Sequence, residues 1–327
     1  MGGDRVRLVI WGTFGCFGFL VFLLILKLLT RLNEAKAENY QKKSTRNPMA
    51  LALVTVQRSA AVAPTVLRDF SLAQLEAATD HFNSLNLIKI GHSGDFFAGI
   101  LEGEERVVVK RMKMSADEEE VQRELEIHGS DAVVPLLGQA GLQFLVYKFV
   151  GNGDLATALA KGRRVLEDDN HTMPSSLPWI TRLKIATGTA RALFHLHHHS
   201  HPPLLHKDIK SSSILLTEEF EVCLGSLSSV EKVESEALLS YDIICFGRVL
   251  LDLISGLDVS GCEDPYAEAW VSKALPCIES GYSDSLVALI DPSLVVEEDF
   301  TREILGVAAL ARACLDPNCV KYMNMGT

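Results

Sequence analysis

The stretch His206-Lys207-Asp208-Ile209-Lys210-Ser211-Ser212-Ser213-Ile214-Leu215-Leu216 is the most informative segment of this 327-residue chain. An acid, Asp208, is followed two residues later by Lys210 and three further on by Ser213. Downstream, Glu221-Val222-Cys223-Leu224-Gly225 runs into Ser226-Leu227-Ser228. Working outward, Ile88 to Leu101 and Arg106 to Arg111 read as strands around a glycine-rich turn, and the second carries Val107-Val108-Val109-Lys110. Ser115-Ala116-Asp117-Glu118 is a capping box that opens a helix bearing Glu124. A second capping box, Ser71-Leu72-Ala73-Gln74, sets Leu72, Leu75, Thr79 and Phe82 on one helical face. On the far side, Asp242 to Ser255 is apolar on nearly every side and stops at Gly256, the pattern of a buried core helix. Residues 161–178 are polar, contain two prolines and read as a loop.

The opening stretch resembles a protein-kinase catalytic loop, whose pattern is H-R-D, a lysine two residues on and an asparagine three further. Other segments carry the resemblance outward. Pro178-Trp179-Ile180-Thr181-Arg182-Leu183-Lys184-Ile185-Ala186, running on to His197, is similar to the helix before that loop in plant receptor-like kinases. Phe70-Ser71-Leu72 with Ala77 to Phe82 resembles the lead-in of the same family. Leu145-Val146-Tyr147-Lys148-Phe149 with Asn152-Gly153-Asp154-Leu155 resembles its inter-lobe hinge, and Asp242 to Gly256 its central C-lobe helix. Together they cover roughly residues 70 to 319, and the family indicated is the plant leucine-rich-repeat receptor-like serine/threonine kinases of the receptor-like/Pelle type. The resemblance implies an α+β, two-lobed protein-kinase-like fold. With the apolar N-terminal run it divides the chain into a short extracytoplasmic stretch (1–7), a single transmembrane helix (8–29), a juxtamembrane linker (30–85), an N-lobe (86–150) and a C-lobe (151–327).

Departures from the family pattern matter as much as the match. Asp208 and Lys210 stand in the catalytic positions, but Ser213 replaces the asparagine and Ser226 replaces the aspartate of D-F-G. Those two positions supply the protein ligands for Mg²⁺ in active members, so no bound Mg²⁺ is expected. Lys207 stands for the H-R-D arginine and lacks its bidentate grip on phosphate. Only twelve residues, Ser229 to Ser240, lie between Ser228 and Tyr241, where the family places its activation loop and A-P-E motif. The arginine that pairs with the A-P-E glutamate is likewise missing from Asn318-Cys319-Val320-Lys321-Tyr322.

The nucleotide site is partly kept. A glycine loop lets backbone N–H groups approach phosphates closely. The spacing G-x-G-x-x-G-x-V falls on Lys89, Gly91, Gly94 and Phe96, so the first glycine is lost and the valine is a phenylalanine. By resemblance, Lys110 is the phosphate-binding lysine and Glu124 its ion-pair partner, while Lys148 and Val150 sit at the hinge. Read without the family, the turn is an ordinary strand turn, Lys110 an exposed strand lysine and Glu124 part of a solvated helix face. Phe96 and Val108 stand where a valine and an alanine sandwich the base, and overpacking a tight site costs about 1–3 kcal/mol. ATP binding is therefore expected to be weak, unless the Phe96 ring rotates away.

Net charge is −11, unevenly spread. Residues 1–46 hold eight Lys/Arg and three Asp/Glu, which leaves 23 against 39 in the body. An acidic body argues against nucleic-acid partners. Seven scattered cysteines without C-x-x-C read as reduced thiols. No leucine-rich repeat is visible. Leu8 to Leu26 is an uncharged run of nineteen residues, long enough to span a bilayer. Six Lys/Arg follow it within residues 27–46 and two precede it, which places the body in the cytosol beneath a plasma membrane. The rival reading is a cleaved signal peptide ending near Ala35-Lys36-Ala37. The histidines at 195, 197, 198, 199 and 201 have i, i+4 pairs but no arranged acidic or Cys partner, so they are not read as a metal site.

Three functions stay open on the sequence. The first is a membrane-anchored receptor-like pseudokinase that works by binding, as a signalling partner or scaffold for other receptor-like kinases or signalling proteins, with Mg-dependent phosphoryl transfer lost or severely impaired. The second is an active Ser/Thr kinase, kept alive by Asp208, Lys110 and Glu124. The third is a truncated receptor-kinase product.

Overall fold

The computed structural model of the chain describes residues 67–113, 118–128, 132–164, 177–261, 289–294 and 298–316, with a few single positions between them. The run Leu8–Leu26 and residues 317–327 lie outside the described residues. Among the described residues no helix is long and apolar enough to cross a membrane.

The N-lobe begins with β1 (Arg68–Asp69) and α1 (Leu72–Ala78). Both fall within the span expected as linker, yet both pack on the lobe. The capping box at Ser71 forms as its sequence predicts: its Oγ accepts from the Gln74 backbone at 3.2 Å, and Gln74 Oε1 accepts from the Ser71 backbone at 2.9 Å. Leu75 and Thr79 are fully buried, but Leu72 is 49% exposed. The helix has only seven residues, so a single turn of it bears on the sheet. After α1 the chain reverses through Asp80, His81 and Phe82, all at positive φ. That reversal stacks the Phe82 ring on Phe144 at 5.2 Å and edge-on to Phe97 at 5.3 Å.

Strands β2 (Leu87–Ile90), β3 (Gly94–Ile100) and β4 (Arg106–Met112) follow, then α2 (Glu118–Ile127), β5 (Leu136–Ala140) and β6 (Phe144–Lys148). The six-stranded sheet has the order β1-β5-β6-β4-β3-β2, antiparallel except where β1 joins β5. The N-terminal glutamates of α2, Glu118 to Glu120, complement its helix dipole. The residues of the capping box expected before it, 114–117, lie outside the described residues.

The C-lobe is mainly helical. It runs α3 (Leu155–Arg164), α4 (Trp179–His198), β7 (Leu204–Leu205), β8 (Ile214–Leu216), β9 (Val222–Leu224), β10 (Glu231–Lys232), α5 (Ser240–Ser255) and α6 (Glu298–Leu315). The loop expected from 161 thus begins later, because α3 continues to Arg164. Helix α5 is the axis of the lobe: Phe246, Val249, Leu250 and Leu253 are at most 1% exposed. It ends at Gly256, whose φ of 68° is the left-handed cap that glycine adopts without steric cost. Helix α6 packs along α5. One continuous apolar cluster runs from Val121 and Leu145 in the N-lobe to Phe246 and Ala311 in the C-lobe.

Candidate functional site

Strand β4 delivers Lys110 and helix α2 delivers Glu124, and each is only 2% exposed. Lys110 Nζ forms an ion pair with Glu124 Oε1. A third residue completes the group: the Tyr147 hydroxyl on β6 donates to Glu124 Oε2. Burial and the neighbouring carboxylate raise the Tyr147 pKa well above its ordinary value, so the phenol stays a neutral donor. Tyr147 had not been singled out in the sequence, where its only signal is its place beside the hinge.

The two glycines sit in the turn between β2 and β3, which is closed by a hydrogen bond from the Gly91 backbone to the Gly94 carbonyl at 2.9 Å. Phe96 is the cross-strand neighbour of Lys110. Its ring is packed under that turn, since a Cβ on Gly91 would lie 2.9 Å from Phe96 Cε2. Lys110 Nζ lies over the ring, 5.7 Å from its centroid. The ring is therefore close to both the glycine turn and Lys110. Val108 and Val150 are half-buried against the main cluster. Lys148 is exposed and spends its backbone N–H on the Pro135 carbonyl at 2.9 Å.

The catalytic-type loop is held by Asp242 at the start of α5. Its carboxylate accepts from the His206 backbone at 2.8 Å and the Lys207 backbone at 2.9 Å. The His197 ring lies 2.9 Å from the same carboxylate. The fold thus supplies an acidic partner to the histidine cluster that the sequence had not indicated, through a residue 45 positions away. His195 and His199 stack on each other instead, at 5.3 Å. Among the described residues no group of three or more His, Cys, Asp or Glu is placed to hold a metal ion. His206 is buried, with Nε2 2.9 Å from the Gly225 carbonyl and Nδ1 3.3 Å from the Asp208 backbone N–H. Those contacts set Nε2 as donor and Nδ1 as acceptor, and burial holds the imidazole pKa below its ordinary value.

Asp208 pairs with Lys210 Nζ at 2.7 Å. Ser213 is buried, and its hydroxyl is spent on its own loop: it donates to the Lys210 carbonyl at 2.8 Å and accepts from the Lys210 backbone at 3.0 Å. Ser226 is half-buried at φ 57° and ψ 44°, a left-handed conformation that asparagine and aspartate tolerate better than serine. The two serines sit on adjacent strand ends, tied by the Gly225 backbone N–H to the Ser213 carbonyl at 2.7 Å. Together these residues offer a buried ammonium–carboxylate–phenol group, one loop carboxylate already in an ion pair, and two neutral hydroxyls.

The protein tyrosine and serine/threonine kinase family matches residues 83–241. Over 281 residues the chain is 41% identical to a probable leucine-rich-repeat receptor-like serine/threonine-protein kinase of Arabidopsis thaliana, At2g16250, covering 76% of this chain and 30% of that protein. It is 31% identical to wall-associated receptor kinase-like 14 of the same plant, covering 75% of this chain and 38% of the relative. The chain therefore spans well under half the length of these relatives. Among solved structures, the pseudokinase domain of BIR2, an immune regulator of the RLK/Pelle family, superposes with a TM-score of 0.62 at 25% identity, over 80% of this chain and 86% of that one.

Proposed function

The chain belongs to the plant receptor-like serine/threonine kinases, and we propose that within this family it is a membrane-anchored pseudokinase that works by binding other receptor-like kinases or signalling proteins. The observation that carries the reading is the pair of serines at the metal-ligand positions. Serine brings no negative charge to Mg²⁺, and the Ser213 hydroxyl is already engaged by Lys210. Phosphoryl transfer is mostly positioning and charge neutralisation by that metal. Without it, several kcal/mol of transition-state stabilisation is forfeited. The residues present do not fit a bound Mg²⁺, and no transfer step is assigned to them. The likeness to the BIR2 pseudokinase domain is consistent with this reading.

The anchor in the proposal is Leu8–Leu26, supported by its length and the basic residues that follow it. That topology puts the lobes in the cytosol at the plasma membrane. An active-kinase reading retains one specific support, the closed Lys110–Glu124 pair, together with the retained Asp208. Against it stands the Phe96 ring, which lies against the glycine turn and near Lys110 and so crowds the region where phosphates would bind.

Thermal-shift titration with ATP, with and without Mg²⁺, tests the nucleotide half of this reading. The wild type is expected to show a small shift that Mg²⁺ does not change. Phe96→Val is expected to raise ATP affinity about tenfold, because the ring is the obstruction. A large Mg²⁺-dependent stabilisation of the wild type would contradict the reading, since a ligand stabilises in proportion to its binding to the folded state.

A further inference from the structure

The short segment between Ser226 and α5 is not an empty remnant. Its strand β10 pairs antiparallel with β7, with Glu231 opposite Leu205 and Lys232 opposite Leu204. The Val233 backbone N–H adds a bond to the Pro203 carbonyl at 2.9 Å. Val230 is 1% exposed, and Val233 and Leu239 close a small apolar cluster with Leu205.

Successive residues of a strand point to opposite sides. Here they carry opposite charges. Glu231 turns to the catalytic-type loop and meets Lys207 Nζ at 2.9 Å. Lys232 turns to the N-lobe and meets Glu126 Oε2 at 2.6 Å. Glu126 lies on α2, two residues beyond Glu124, so it faces away from the side that holds Lys110. Helix α2 is thereby held from two sides, by Lys110 and Tyr147 from the sheet and by Lys232 from the segment. In kinases that are switched on by phosphorylation, an added phosphate orders this segment by pairing with a basic residue. In this chain a built-in carboxylate, Glu231, already occupies the basic residue of the H-R-D position.

We propose that Glu231-Lys232 is an inter-lobe strap that holds α2 in its inward position without any phosphorylation of the segment. The four charged side chains are half-exposed, so each pair contributes a modest bias and not a rigid lock. The strap goes beyond the pseudokinase reading and stands whether or not nucleotide binds.

The test is hydrogen–deuterium exchange of the α2 amides on the full chain after phosphatase treatment. Wild-type α2 is expected to stay protected. Lys232→Glu should speed α2 exchange roughly three- to tenfold, by replacing an attraction with a repulsion. The swap Lys232→Glu/Glu126→Lys should restore the wild-type rate. If charge reversal impairs folding, the neutral Glu126→Gln should still speed α2 exchange, by a smaller factor, while β4 is unchanged. The proposal is overturned if phosphatase treatment alone releases α2, if the single variants exchange at the wild-type rate, or if the swap stays fast.

Discussion

The Lys110–Glu124–Tyr147 group is a buried charge cluster whose members satisfy one another. Both carboxylate oxygens of the buried Glu124 have donors, one ammonium and one phenol. Tyr147→Phe removes a single hydroxyl and leaves one oxygen of a buried carboxylate without it. The expected cost is about 1–3 kcal/mol, read by urea denaturation, because an unsatisfied buried acceptor keeps its full desolvation penalty. A change under about 0.5 kcal/mol would mean that water reaches Glu124. His206 gives a prediction of a different kind. Its folded pKa lies below the unfolded value of 6.5, chiefly from burial. A depressed folded pKa means stability that is present above about 6.5 and is lost as pH falls, by at most about 1.4 kcal/mol per pH unit. His206→Gln keeps a donor toward the Gly225 carbonyl but takes up no proton. Urea unfolding at pH 5 to 7.5 should therefore show a flatter slope for the variant than for the wild type. Parallel slopes would mean that His206 is not the group being titrated.

At the scale of elements, a buried charge pair ties helix α4 to the loop at Asp291, and the same arginine bonds to helix α5. Arg182 on α4 reaches Asp291 at 2.5 Å and donates to the Leu177 and Leu253 carbonyls at 2.9 Å each. Arg182 is 1% exposed and Asp291 5%. Removing one member strands a buried charge, so Arg182→Leu is expected to cost about 3–5 kcal/mol. That is a large part of the stability of a typical domain. Adding Asp291→Asn should recover part of the loss in urea melts, since the remaining group is then neutral. Elements were legible in the sequence where the signal is local. The Ser71 capping box, the glycine stop after Ser255 and the valine run of β4 all depend on neighbours within a few positions. The attachment of β1 to the sheet was not legible, because Arg68 pairs with Gly138, seventy residues away, and nothing in a two-residue strand announces its partner. Leu72 was misassigned because helical periodicity fixes a face but not how many turns of that face find something to cover.

For the whole molecule, the fold could be read because many short motifs occur in one order, and order is a property a sequence displays directly. Positions of the candidate site followed from the same order, and the fold brings them together in pairs: Lys110 with Glu124, Asp208 with Lys210, and the Ser213 and Ser226 turns through Gly225. What stayed hidden was the meaning of the short segment after Ser228. Its charges look unremarkable in sequence, and their partners lie 24 and 106 residues away. The sequence displays a segment too short for the family's activation loop; the structure shows that segment packed on β7 and paired with α2. Both point to a molecule built to hold a shape. The most direct test of that account is transfer of labelled γ-phosphate from ATP in Mg²⁺, to the chain itself and to a generic peptide. It is run on the wild type, on Asp208→Asn and on Ser213→Asn/Ser226→Asp. The account predicts no transfer by the wild type above the Asp208→Asn background. It predicts none by the double variant either, because restored ligands leave the acceptor hydroxyl unplaced. Mg²⁺-dependent transfer by the wild type that Asp208→Asn abolishes would contradict it.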